Sequence, residues 1–252
     1  MKHDGEIDGL NVEDLSRHIN LLAHYYDRGT PLILIREAIP TDHGKGHKPI
    51  RMIEGSFPDS LLMTRIDDIV LQLLEVARTS NVRSAYLYYY QIFEYAGYYY
   101  IDEKARKSLR NALRDPALIA CGEDKVSELF SIFTDLNHSD EAKMRKVIED
   151  HCDPRVIWTE VSNDIDFYSK EQQFDGGFTL PALVSKDCTD ETWKTMWMPK
   201  TFDVLTKIRN ALVHAREKRE NKVILPTLGN NARLARYLPV IQRMAEQLAL
   251  KS

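Results

Sequence analysis

Apolar residues recur every three or four positions along most of this 252-residue chain, the period of helices that bury one side. Leu15, Ile19, Leu22, Ala23 and Tyr26 mark a first amphipathic segment over 11–28, ended by Thr30-Pro31. Two short β-branched runs follow, 32–35 and 50–53, with a Gly/His/Lys loop between them, and predict a small two-stranded element. From Phe57-Pro58-Asp59 the helical period returns, with Leu61, Leu62, Ile66, Ile69, Val70, Leu73, Leu74 and Ala77 on one broad stripe. Further helices are predicted over 81–100, 102–114, 123–137 and 139–151, with breaks at Asp115-Pro116, Asn137-His138-Ser139-Asp140 and Asp153-Pro154. Between about 164 and 199 the period is lost around Gly176-Gly177, Pro181 and Pro199, which predicts a long irregular connection. Helices resume over 200–219 and 230–250, on either side of a break at Asn221 to Pro226. The pattern predicts a mainly α protein: a helical bundle over 58–252, preceded by a small N-terminal α/β element over 1–57.

Composition narrows the function classes. The formal net charge is -4, from 34 Lys plus Arg against 38 Asp plus Glu, so the chain as a whole is no basic nucleic-acid coat and any polyanion contact must be local. The three cysteines, Cys121, Cys152 and Cys188, are widely spaced and form no C-x-x-C. Neither a disulfide framework nor a zinc ribbon is expected, which favours a reducing cytoplasm. No apolar run stands behind the polar opening Met1-Lys2-His3-Asp4, and no stretch approaches a membrane span, so neither a secretory leader nor a membrane partner is expected.

The helix over 200–219 carries Lys207-Ile208-Arg209-Asn210-Ala211-Leu212-Val213-His214. An Arg followed by His after four to six residues occurs at four places: Arg17 with His24, Arg36 with His43, Arg145 with His151, and Arg209 with His214. Only the last has Asn directly after the Arg and lies in a strongly periodic helix near the C-terminus. At 100° per residue, Val204, Leu205, Ile208, Ala211, Leu212 and Ala215 share one sector of about 120°, the core face. Asn210 and His214 stack four apart on a polar stripe with Asp203, Lys207 and Lys218, where an amide can orient an imidazole. Arg209 falls between Phe202 and Leu205, a half-covered position.

This Arg-Asn-x-x-x-His motif resembles that of the HEPN superfamily. The resemblance implies a helical bundle, a homodimer whose two motifs converge on one cleft, and metal-independent RNA cleavage without a cofactor. It implies a 2′,3′-cyclic phosphate and a 5′-OH as products. An imidazole with an ordinary pKa near 6.5 can take or give the proton, and a guanidinium fork can stabilise a phosphate gaining charge. His214 is thus the expected general acid and base, Arg209 the phosphate stabiliser, and Asn210 a positioning group.

Eight of the twelve tyrosines crowd into Tyr86 to Tyr100, with Glu94 among them. A carboxylate buried there would need a cation or donor as partner. The segment looks like the aromatic, Glu-containing helix of bacterial HEPN proteins related to the Apea-like anti-phage nucleases. That resemblance implies that Glu94 pairs with Arg209 or orients His214, and that the protein is an enzyme of phage defence or a toxin-like system, with an antitoxin or regulatory partner.

Local charge agrees with an RNA partner. Lys200 to Arg236 holds nine cations, Lys207, Arg216 and Lys218 among them, against Asp203, Glu217 and Glu220. Lys207, Arg216 and Lys218 are the candidate phosphate contacts. Asp42-His43-Gly44-Lys45-Gly46-His47 and Glu149-Asp150-His151-Cys152-Asp153 carry ligand-type residues, but neither offers a complete metal set, and no metal site is expected. Arg110-Asn111-Ala112-Leu113 echoes the motif without a His. The alternative reading is a catalytically silent HEPN-like bundle that binds RNA, a nucleotide or a protein through the same faces.

Overall fold

Most helices of the bundle begin on a side chain that satisfies their first free N–H groups. The structure, a computed structural model, describes residues 66–114 (backbone alone at 101–105), 139–213 and 222–250, together with 50–52, 59, 127, 129–131 and scattered positions between 19 and 33. Helix α1 (Asp68–Thr79) is capped by the Asp67 carboxylate, which accepts the Ile69 N–H, and it buries Val70, Leu74 and Ala77. Asn81 opens the next helix by accepting the N–H groups of Arg83 and Ser84, each at 3.1 Å.

That helix, α2 (Val82–Arg114), runs unbroken for 33 residues, where the sequence pattern predicts two helices parted near residue 101. No proline or glycine stands between Tyr98 and Arg114 to stop it. Helix α3 (Asp140–His151) is capped by Ser139, and α4 (Pro154–Ser162) by Asp153 with Pro154 in its first turn, as the two predicted breaks require. The described residues of the predicted helix over 123–137, residues 127 and 129–131, are helical.

The predicted connection over 164–199 is more ordered than its composition suggests. It holds a one-turn helix, α5 (Ile165–Tyr168), and a minimal antiparallel hairpin of β1 (Gln172–Gln173) and β2 (Thr179–Leu180). Gln172 pairs with Leu180 and Gln173 with Thr179, and Gly176 and Gly177 turn the chain at φ 104° and 81°. Helix α6 (Asp190–Val213) begins well before Pro199 and carries it in its interior, so Pro199 does not end the connection. Its early turns are anchored instead by buried Trp193, Trp197 and Met198. The Trp193 indole N–H donates to the Pro154 carbonyl at 2.8 Å and its ring packs 5.6 Å from Trp158.

The last predicted helix divides into α7 (Leu228–Ala235) and α8 (Leu238–Ala249). The ring of Pro239 would collide with the Ala235 carbonyl in a continuous helix, so the chain breaks at Arg236-Tyr237. Asn230, wholly buried in α7, holds the hairpin to the bundle: it accepts the Asp175 N–H and donates to the carbonyls of Asp175 and Leu225, all at 2.9 Å.

α2 is the spine of the bundle, packed against α1, α3, α6, α7 and α8. Tyr86, Ile92, Phe93, Trp193, Phe202, Leu205 and Ile208 are among the fully buried residues. α3 approaches α2 so closely at Gly97 that a Cβ there would lie 2.8 Å from Met144 Cγ and 3.0 Å from its backbone nitrogen. The fold is a mainly α helical bundle, and among the described residues no helix is long and apolar enough to cross a membrane.

The chain divides into two compact units, Met1–Gly46 and His47–Ser252. Residues 50–52 belong with the bundle because Arg243, paired with buried Glu160 at 3.0 Å, also donates to the Ile50 carbonyl at 3.4 Å. In the first unit, residues 19–21 are helical, and the Asn20 side chain both donates to the Ile33 carbonyl and accepts the Ile33 N–H at 2.8 Å. Of the predicted strand pair, Ile33, Ile50, Arg51 and Met52 are not in strands, and the rest lie outside the described residues.

Candidate functional site

Arg209 and Glu94 stand 115 residues apart in sequence and meet where the last turns of α6 cross the middle of α2. α6 turns Val204, Leu205, Ile208 and Ala211 into the core, the face that the helical period predicts, with Leu212 half-buried. Arg209 is left at the margin of that face. α2 buries Tyr86, Tyr89, Tyr90, Ile92, Phe93 and Ala96, which places Glu94 at the matching margin.

Arg209 Nη2 donates to Glu94 Oε1 at 2.7 Å, and Nη1 donates to Asn210 Oδ1 at 3.1 Å. The side chains of Arg209 and Glu94 keep 28% and 38% of their surface exposed, so the pair is open to a solute from outside. Its Coulomb attraction is accordingly screened by water. The guanidinium also lies over the Tyr90 ring, with Cζ 5.6 Å from the centroid, within reach of a cation–π contact.

Tyr90 is fixed in turn. Its hydroxyl shares a 3.0 Å hydrogen bond with Thr206 Oγ1, and the Tyr86 hydroxyl donates to the Leu205 carbonyl at 2.9 Å. These bonds set the height and rotation of α6 on α2, and through them the position of Arg209. Burial raises the Tyr90 hydroxyl above its ordinary value, the Thr206 hydrogen bond and the Arg209 charge oppose that rise, and the Glu94 charge adds to it. Tyr90 is therefore a neutral buttress at physiological pH and no proton acceptor.

Of the residues singled out in the sequence, the structure brings together Arg209, Asn210 and Glu94. Lys207 is exposed on α6. His214, Arg216 and Lys218 lie outside the described residues, as does the His-containing loop at 42–47. Asp203, placed by the helical period on the His214 stripe, takes an ion pair from Arg145 of α3 at 2.6 Å. Arg145 stacks its guanidinium 4.4 Å from the Phe202 centroid.

The ligand-like run at 149–153 is put to other uses. Burial pushes the Cys152 thiol up to about 12, and that thiol donates to the Met244 carbonyl at 3.6 Å. Asp153 caps α4 and pairs with Arg155 at 3.0 Å. Among the described residues no group of three His, Cys, Asp or Glu is arranged to hold a metal ion.

Sequence reasoning gave no part in the site to Tyr90, which it placed only in the tyrosine run, to Arg145, which it named only in an Arg–His pair, or to Thr206. The signal was present in part. Tyr90 lies four residues before Glu94 on α2 and Thr206 three before Arg209 on α6, the spacings at which helical side chains become neighbours. The chain matches no family profile, no curated protein and no solved structure.

Proposed function

We propose that the protein is a metal-independent endoribonuclease of HEPN type, homodimeric and cytoplasmic, in phage defence or a toxin-like system. The observation that carries the reading is the half-exposed Arg209–Glu94 ion pair with Asn210 on the same guanidinium. It joins the two segments whose resemblance to HEPN proteins was independent in sequence. It also supplies a cation oriented from three sides yet accessible to a phosphate.

In this reading the substrate ribose 2′-oxygen attacks the adjacent phosphorus while His214 accepts the hydroxyl proton. The bond from phosphorus to the 5′ oxygen breaks, and a protonated imidazole returns a proton to that oxygen. The products are a 2′,3′-cyclic phosphate and a 5′-OH, with no water consumed and no co-reactant required. Two N–H groups of Arg209 are committed to Glu94 and Asn210, which leaves the rest of its fork for the phosphate oxygens as they gain charge. Glu94 acts through Arg209 as a positioning residue.

Incubation of the purified protein with total tRNA and with a single-stranded RNA in EDTA tests the proposal, beside His214→Ala and Arg209→Ala. Cleavage by the unmutated chain alone, with both variants still binding RNA, is the expected result. Equal cleavage by all three, or none by any, would replace the enzyme with the silent binding bundle.

A further inference from the structure

The continuity of α2 carries its last turns past the core. Its buried residues in the main core end at Ala96, and over 106–114 only Ala112 is buried, in a separate small cluster with Leu109 and Leu129. Arg106, Lys107, Arg110 and Arg114 on this stretch are all exposed. From Lys104 to Arg114 the sequence holds five cations and no acidic residue, in a chain that is net acidic. Asp102 and Glu103 directly precede the run and Asp115 directly follows it.

Between that run and Glu94 lies an aromatic step. Tyr98 and Tyr99 are 52% and 49% exposed, and their rings meet edge to face at 4.9 Å. Tyr99 also packs 4.4 Å from Tyr95, whose hydroxyl donates to Asp67 at 2.8 Å. One ring face is thereby held from behind while much of the step stays open to solvent. At 100° per residue Tyr98 lies about 40° from Glu94, one turn further along. Tyr99, Arg106, Lys107, Arg110 and Arg114 share a sector of about 100°. The track from Glu94 to Arg114 is about 30 Å long.

We propose that Tyr98, Tyr99 and the four cations of the α2 extension form a track for a single-stranded polynucleotide, leading into the Arg209–Glu94 pair. Exposed aromatic faces beside a row of cations are what an unpaired strand requires, because its bases can stack on the rings while its phosphates meet the charges. A duplex hides its base faces and could use only the charges. That the strand is RNA rests on the nuclease reading; the stacking and phosphate contacts do not.

The test uses the full chain and fluorescence anisotropy with a labelled 20-nucleotide RNA, the same RNA annealed to its complement, and a DNA strand of the same sequence. Tyr98→Ala with Tyr99→Ala should weaken single-strand binding at least about fivefold, leave duplex binding nearly unchanged, and be rescued by the corresponding Phe pair. Arg106→Ser, Arg110→Ser and Arg114→Ser together should weaken all three probes and flatten the single-strand salt dependence by about two in log–log slope. Melting temperatures confirm that these surface variants fold.

Variants that bind as the unmutated chain does would overturn the track. So would a change in sedimentation without a change in RNA affinity, which would make the tyrosines a protein interface. Failure of the nuclease reading is separable. Track variants that lose binding when no form of the protein cleaves RNA would support the track and sink the enzyme, and intact cleavage with unaltered binding would do the reverse.

Discussion

Arg209 is held by contacts of different kinds, a charge at Glu94, an amide at Asn210 and a ring at Tyr90, and they predict different consequences when removed. Glu94→Gln keeps an acceptor but removes the charge. Because the pair is partly exposed, the stability change should stay within about 1 kcal/mol, while single-turnover cleavage falls at least about tenfold through loss of a fixed guanidinium. Arg209→Lys should be similarly inactive, since an ammonium cannot bridge Glu94, Asn210 and a phosphate as a fork does. Tyr90→Phe removes the Thr206 bond at a cost of about 1 kcal/mol in urea melts, yet retains the ring under Arg209 and leaves the Tyr86–Leu205 bond to hold α6 on α2, so cleavage should change little. Arg209 and Glu94 were legible in the sequence through their motifs. Tyr90 and Thr206 were not, because a hydrogen bond between two helices depends on their mutual rotation, which no single-helix period encodes.

At the scale of elements, the close approach of α3 to α2 depends on the absence of a side chain at Gly97. In Gly97→Ala the gain in helix propensity, about 1 kcal/mol, is opposed by a contact with the Met144 backbone that α3 can relieve only by moving away. The net effect expected is destabilisation by about 1–2 kcal/mol, read as a lower urea midpoint. An unchanged or higher midpoint would mean that α3 shifts freely. Caps made the starts of α3 and α4 legible, since Ser139 and Asp153 act through local chemistry. The continuity of α2, the early start of α6 and the break before α8 were harder to read. They turn on long-range choices: Trp193 and Trp197 find a core that outweighs Pro199, whereas Pro239 is buried in the first turn of α8, where the bond it cannot make to Ala235 is not needed.

For the whole molecule, the core is rich in groups that ionise only at high pH. Burial pushes the Cys152 thiol up to about 12 from an ordinary 9.0, and burial first, with neighbouring tyrosines second, raises Tyr86 well above its ordinary 10.0. Burial likewise raises Tyr168 and Tyr237. Below about pH 9 these groups are protonated in both the folded and unfolded chain, and the stability they confer is fully present. Above it the unfolded chain sheds protons that the folded chain retains, so stability declines as pH rises from 9 toward 12, by up to about 1.4 kcal/mol per pH unit for each group. Urea midpoints that fall steadily over that window are expected, with Cys152→Ala blunting the start of the fall. A flat profile to pH 11 would place these side chains in contact with water.

The central claim, that Arg209, Glu94 and His214 serve RNA cleavage, is tested most directly by the chemistry of the ends produced. Fragments of a defined RNA, generated in EDTA and analysed by mass spectrometry, should carry 2′,3′-cyclic phosphates and 5′-OH groups, and should be absent with His214→Ala and reduced at least about tenfold with Glu94→Gln. Fragments with 5′-phosphates, or cyclic-phosphate fragments that persist undiminished in both variants, would contradict it.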